Sequence, residues 1–231
     1  AVLAPERHHV ARREPLVGFV REEVAGAAAV DTHDGRGDGH VVTVPVGGQT
    51  GVVRVIAGSL GGRRLEVPEG RHTRPTTDRV REAVFNSLFS LGVLDDAVVL
   101  DAFAGSGALG IEALSRGAAS ATFVETDRDA LASLRSNLAT LGLEDRSSVL
   151  ASDGMSVVAA AEGFDLVLLD PPYDFDGWPE LLAPVTDAIV VIESDRAVEL
   201  PAGWSSHRVR RYGGTVVTLA TAPDAPGDIQ R

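Results

Sequence analysis

The chain of 231 residues contains no cysteine and no lysine. The first absence excludes disulfides, thiolate metal sites and cysteine nucleophiles together. The second excludes Schiff-base chemistry and the lysine of a phosphate-binding P-loop. Aromatic residues are few, at 5%. No apolar run approaches the ~20 residues that a membrane span needs. No basic start leads into an apolar signal segment, so secretion has no support and a cytoplasmic location is expected. What is present is ordinary for a globular protein: 44% hydrophobic and 23% charged residues. The length suits one domain with an appendage.

The net charge of −12 argues against a nucleic-acid partner when read as a single number. Fields are screened over ~8 Å at physiological salt, so charge is better read by region. Residues 51–94 carry 7 Arg against 4 acids, residues 95–200 carry 5 against 20, and residues 201–231 carry 4 against 2. An acidic body thus lies between two basic flanks.

Residues 1–51 show no sustained period and read as a disordered extension. Their histidines, His8, His9, His33 and His40, lack an element to align them and read as solvated. No metal is expected. From Val52 the pattern sharpens. Val53–Ala57 and Arg63–Val67 predict a hairpin around Gly58–Gly62. A helix is expected from about Thr76, with Val80, Val84, Leu88 and Leu91 on its apolar face and Phe85 and Phe89 widening it. Gly92 ends it. Residues 52–94 form this hairpin and helix, an appendage covering RNA and cofactor.

Residues 95–220 then alternate strand and helix. Strands are expected at Ala97–Leu100, Ala121–Val124, Ser148–Leu150, Phe164–Leu169 and Ala188–Ile192. Helices are expected at Leu109–Ser115, Asp129–Leu141, Gly154–Ala161 and Trp178–Val185. The repeat implies an α/β fold with a doubly wound, mostly parallel sheet. His207–Tyr212 and Thr215–Ala220, joined by Gly213-Gly214, predict a closing antiparallel hairpin. Residues 221–231 read as a disordered tail.

Asp101-Ala-Phe-Ala-Gly-Ser-Gly-Ala-Leu-Gly110 follows a strand and opens a helix. Gly105, Gly107 and Gly110 satisfy G-x-G-x-x-G, and Glu125 lies 20 residues after Gly105. Such a unit holds several nucleotide ligands. Asp101 helps to choose among them, because a pyrophosphate would face its carboxylate. Glu125, Asp153 and Asp170 likewise end or follow strands. Ligands of open α/β sheets bind at that edge. Acids there disfavour a phosphate-bearing ligand and favour S-adenosylmethionine, with its ammonium, sulfonium and ribose hydroxyls.

Asp170-Pro171-Pro172-Tyr173 closes the apolar run Leu166–Leu169. Two prolines fix the backbone and delete two donors, leaving a carboxylate and carbonyl oxygens. Acceptors around an –NH₂ group favour pyramidal nitrogen and free its lone pair for attack. Tyr173 offers a face on which a base stacks. A strand-ending turn with a packed tyrosine is the bland alternative.

Together these motifs resemble class I S-adenosylmethionine-dependent methyltransferases that act on exocyclic base amines. Arg54–Leu65, Arg74–Asn86, Asp101–Arg116 and Asp170–Tyr173 are similar to the bacterial RsmD family, which methylates a guanine N2 in small-subunit ribosomal RNA. The resemblance covers residues 52–220; residues 1–50 match nothing in it and read as non-native or as a misassigned start. It implies a Rossmann-like fold. Asp101, Phe103, Ala104, Gly105, Ser106 and Gly107 would hold the methionine part of the cofactor. Glu125, beside Thr126, would bond the ribose, and Asp153 would lie near the adenine. Asp170, Pro171, Pro172 and Tyr173 would receive the guanine. The Arg74–Arg81 segment would lie over the cofactor and contact RNA.

Arg54, Arg63, Arg64, Arg74, Arg79 and Arg81 precede the body, and Arg208, Arg210 and Arg211 follow it. The guanidinium fork binds phosphate and stacks on bases, so these are the expected RNA contacts. Any one of them alone could merely solubilise its element. The expected enzyme is a monomer acting on ribosomal RNA, free or in an assembling small subunit. The alternatives are an adenine-N6 methyltransferase, a nicotinamide oxidoreductase and a non-catalytic RNA-binding assembly factor.

Overall fold

The computed structural model describes residues 53–68 and 78–225. Readings that fall on 1–52, 69–77 and 226–231, including the extension with its histidines and Arg74, lie outside the described residues. Seven strands form one sheet in the order β3-β2-β1-β4-β5-β7-β6. They are β1 (Val98–Asp101), β2 (Ser120–Glu125), β3 (Ser147–Ala151), β4 (Leu166–Leu169), β5 (Ile189–Ser194), β6 (Ser205–Tyr212) and β7 (Thr215–Thr221). The first five are parallel, and β7 runs antiparallel between β5 and β6. The expected α/β fold with a closing hairpin is therefore present, and its strand order is that of a class I methyltransferase.

Alternation along the central strands fills two cores. Val99, Phe123, Leu166, Leu168 and Val191 face one side, with α1 (Asp78–Ser90), α2 (Ala108–Ser115) and α3 (Arg128–Leu141) packed over them. Leu100, Val124, Val167, Leu169 and Val190 face the other, under α4 (Gly154–Ala160) and α5 (Trp178–Leu182). Strands covered on both faces explain the unbroken apolar runs of β4 and β5. Val53, Val55 and Leu65 join the first core together with Val80, Val84, Phe85 and Leu88 of α1. Residues 53–68 and 78–94 thus contribute to the core of the sheet.

Three elements differ from their sequence expectation. The N-terminal hairpin is reduced to one antiparallel bridge, Arg54 to Arg64, around a 3₁₀ turn at Gly58–Leu60. Leu65 N–H donates to Val53 O, Val55 N–H to Arg63 O and Gly62 N–H to Val55 O across it, while Ile56 and Ala57 N–H donate to Glu112 and Leu60 N–H to Ser115 Oγ. Helix α5 stops at Leu182: Ala183 still has helical angles and donates to Pro179 O, but Pro184 after it has no N–H to continue the ladder. Strand β7 runs on to Thr221, and residues 222–225 continue along the fold. Ala222 is 2% exposed and donates to Ala188 O, and Asp224 N–H donates to Thr186 O.

Strand order reverses between β1 and β4, since the chain crosses from β3 back over the sheet. That switch point, at the carboxyl edge, is where open α/β sheets bind ligands. Asp101 ends one of the two flanking strands and Asp170 follows the other.

Candidate active site

The glycine loop bridges β1 and α2 at the switch point, and its three glycines have different jobs. Gly107 sits at φ +87°, and a Cβ there would meet Leu134 Cδ1 at 2.5 Å. A Cβ on Gly110 would meet the Phe123 ring at 2.3 Å. Gly110 is demanded by the packing of α2 on β2, and Gly107 by its left-handed backbone with α3 close by. Gly105, at φ +54°, has nothing within 4 Å of where its Cβ would stand. Its glycine answers to backbone conformation and leaves open space in front of the loop.

Beneath the loop, Asp101 is 1% exposed, and its Oδ2 accepts from Gly110 N–H at 2.9 Å. Its Oδ1 is buried and accepts no hydrogen bond from the described residues. Burial, aided by the nearby Glu125 and only partly opposed by the Gly110 N–H, pushes the carboxyl up to about 7. A buried acceptor without a partner fits a cationic donor such as an ammonium group.

Glu125 closes the second strand as expected, but both its oxygens bond neighbouring backbone. Oε2 accepts from Gly105 N–H at 2.9 Å, and Oε1 from Thr126 and Asp127 N–H at 2.7 and 2.8 Å. It therefore ties the glycine loop to the end of β2. Asp153 is the N-cap of α4: its Oδ2 accepts from Ser156 N–H at 3.0 Å and Ser156 Oγ at 2.9 Å. Those bonds hold its carboxyl below the usual range. Ala104 is buried, Phe103 and Ser106 are half-buried, and Thr126 is exposed.

Across the switch point, Asp170 is half-buried, Pro171 buried, and Pro172 and Tyr173 exposed. The loop after the motif is tied back by Phe175 N–H donating to Pro172 O, and by Arg196 Nη2 donating to Phe175 O at 2.9 Å. Phe175 packs edge-on to Trp178 with centroids 5.1 Å apart and lies 6.1 Å from Phe103. The ring of Phe103 thus joins the two halves of the site. Tyr173 Oη lies 2.9 Å from Thr215 Oγ1.

A family model described as Conserved hypothetical protein 95 matches residues 53–221. The chain is 42% identical over 181 residues to the ribosomal RNA small subunit methyltransferase D of Escherichia coli (strain K12), covering 74% of this chain and 90% of that protein. The chain belongs to the RsmD family. The methyltransferase of the same name from Haemophilus influenzae is 34% identical over 176 residues, 71% of this chain and 90% of that one. The solved structure of the Escherichia coli protein yhhF is 38% identical, with a TM-score of 0.66, covering 75% of this chain and 99% of that chain.

For an RsmD-family chain the arginines now separate. Arg63, Arg64, Arg79, Arg208, Arg210 and Arg211 are exposed. Arg54 is exposed too, and its Nε donates to Asp78 at 3.0 Å. Arg208 Nη1 donates to Ser87 Oγ at 2.7 Å and Arg63 Nη2 to Thr140 O at 3.3 Å. Arg81 corrects the expectation: it is 0% exposed and donates to Arg54 O and to Asp78 Oδ1. No phosphate reaches it, because its stem joins the α1 core while Asp78 and Glu112 balance its charge.

Sequence reading missed two supports of the site. Asn137 Nδ2 donates to both Glu66 O and Ser106 O at 2.9 Å, and its Oδ1 accepts from Glu66 N–H at 2.7 Å. It clips the glycine loop to the N-terminal ribbon. Arg196 is the other. Each acts on residues far away in sequence, so no local pattern marks it. Among the described residues no group of three or more His, Asp or Glu is placed to hold a metal ion, and no helix is long and apolar enough to cross a membrane.

Proposed function

We propose that this chain transfers a methyl group from S-adenosylmethionine to the exocyclic N2 amine of a guanine in small-subunit ribosomal RNA. One observation carries the reading: a glycine loop with open space at Gly105 and a buried, unpartnered Asp101 oxygen shares the switch point with Asp170–Tyr173. Membership of a family whose curated members are called small-subunit ribosomal RNA methyltransferases supports the substrate class.

When bound, S-adenosylmethionine supplies an electrophilic methyl on a sulfonium. Asp101 Oδ1 would accept from its ammonium, and the backbone around Gly105 would border its carboxylate. Glu125 Oε2, which accepts from Gly105 N–H alone among the described donors, would take a ribose hydroxyl on its second lone pair. Asp153, already capping α4, would offer its second oxygen towards the adenine. The guanine would enter over Tyr173. The Asp170 carboxylate would accept one amine hydrogen and the Pro171 carbonyl the other, holding the nitrogen lone pair towards the methyl. As the N–C bond forms, the amine gains positive charge, so Asp170 acts most strongly in the transition state. The surplus amine proton then leaves along the hydrogen bond to Asp170.

Single-turnover methyl transfer at saturating RNA and cofactor tests this. Asp170→Ala should lose roughly 10²–10³-fold in rate, by analogy with removing one preorganised electrostatic contact. Asp170→Asn should lose less, because an amide oxygen still accepts. RNA and S-adenosylhomocysteine affinities should hardly move. A near-normal rate for Asp170→Ala would sink the mechanism and favour a non-catalytic RNA-binding protein.

A further inference from the structure

Tyr173 ends the proline motif, and Thr215 opens β7 at a separation of 42 residues. Their hydroxyl oxygens are 2.9 Å apart. Thr215 is 5% exposed and Tyr173 is 39% exposed, so one partner is fixed in the sheet and the other stands at the surface. Resting on the reading of Tyr173 as the face on which the target base stacks, we propose that Thr215 is a positioning residue for methyl transfer. Its hydroxyl sets the pitch of the Tyr173 ring and thereby the plane of the base.

No aromatic stack among the described residues holds that ring. The ring contacts among the described residues run from Phe103 through Phe175 to Trp178 and leave Tyr173 aside. The two prolines fix the backbone before it but not its side-chain torsions. Thr215 is itself held firmly. It pairs with Tyr212 across the hairpin turn, and Val216 beside it pairs with Ser194 of β5. Its branched side chain restricts χ1 in a strand. Opposite it runs β6, which carries Arg208, Arg210 and Arg211. The stacking face and the phosphate-binding arginines would therefore be referenced to one hairpin. A base turned by even a small angle would leave the line of methyl transfer, where a displacement of about 1 Å is costly.

Thr215→Val removes the hydroxyl while keeping shape and strand preference. The exposed phenol can turn to water, so folding should be spared. Tyr173→Phe removes the same bond from the other side. Single-turnover methyl transfer at saturating RNA and S-adenosylmethionine should slow about threefold to tenfold in each variant, the scale of one neutral hydrogen bond. The double variant should be no slower than either single one. Thr215→Ser should restore the rate. Melting temperature should stay unchanged in Thr215→Val and Thr215→Ser, and S-adenosylhomocysteine affinity in every variant. A normal rate in Thr215→Val beside a slow Tyr173→Ala would overturn the positioning role and leave the stacking face intact. Rate reductions that multiply in the double variant would overturn it as well. A normal rate in Tyr173→Ala would overturn both readings.

Discussion

Asp101 is a carboxylate in surroundings that oppose its charge. Its pKa is raised to about 7 by burial, against ~3.9 for an exposed aspartate. Between those values the folded protein holds a proton that the unfolded chain has released. The resulting stability is fully present below about pH 4 and is lost as pH rises through about 7. Asp101→Asn keeps an oxygen for Gly110 N–H but cannot ionise. It should melt higher than the wild type at pH 8, by a margin on the order of a few kcal/mol, and should lack the slope between about pH 4 and 7. At about pH 8 the same variant should bind S-adenosylhomocysteine about tenfold more weakly, the scale of one charge-assisted hydrogen bond. Thermal melts and calorimetry across pH check both halves; a variant that binds normally would remove Asp101 from the site. The acids at the strand ends were legible from their positions. What each carboxylate already bonds was not. Glu125 spends itself on three backbone donors and Asp153 on a helix start, partners set by loop geometry that no spacing rule encodes.

Helix α2 carries a latch that concerns whole elements. Glu112 is 0% exposed, yet it accepts from Ile56 and Ala57 N–H at 2.7 and 3.1 Å and from Arg116 Nε at 2.6 Å, with Arg81 Nε at 3.9 Å. One carboxylate thus joins the N-terminal ribbon, α1 and α2. Glu112→Ala would strand two amides and leave the buried Arg81 without one of its counter-charges, Asp78 remaining at 3.1 Å. Breaking such a buried pair costs about 3–5 kcal/mol, so a urea midpoint should fall sharply. An unchanged midpoint would mean that Val53, Val55 and Leu65, with the Ser115 and Asn137 hydrogen bonds, hold the ribbon without it. The period of α1 was readable at Val80, Val84 and Leu88, but it misled at two positions. Phe89 is 71% exposed although it sits at the edge of the apolar stripe, and Arg81 is buried although it is charged. Helical spacing names a face; how wide that face is depends on the neighbours that cover it.

Across the whole molecule, the alternation of strands and helices was enough to read the parallel sheet and its switch point. The place of β7 between β5 and β6 was not readable, because a hairpin's own sequence does not say which of its strands joins the sheet edge. That choice leaves β6 as an edge strand exposed along nearly its full length, with three arginines in the span Arg208–Arg211. Arg208 and Arg210 line a shallow recess with Ala83, Val84 and Ser87 of α1, and alternation turns Val209 and Arg211 to the other face. An acidic body of 20 acids against 5 Arg repels RNA elsewhere, so a phosphate chain should meet the protein chiefly at these flanks. Replacing Arg210 with Arg211, or Arg63 with Arg64, by glutamine should therefore weaken RNA binding. Each pair should also flatten the plot of log affinity against log salt by about 1.4–1.8, at ~0.7–0.9 for each phosphate no longer neutralised. Arg81→Gln should instead lower stability and leave the slope alone, since its guanidinium is enclosed. Fluorescence anisotropy with a ribosomal RNA fragment across roughly 50–200 mM salt, the range where such slopes show, measures all three. An unchanged slope in both double variants would move the RNA path away from the two flanks, and a flattened slope in Arg81→Gln would mean that α1 opens when RNA binds.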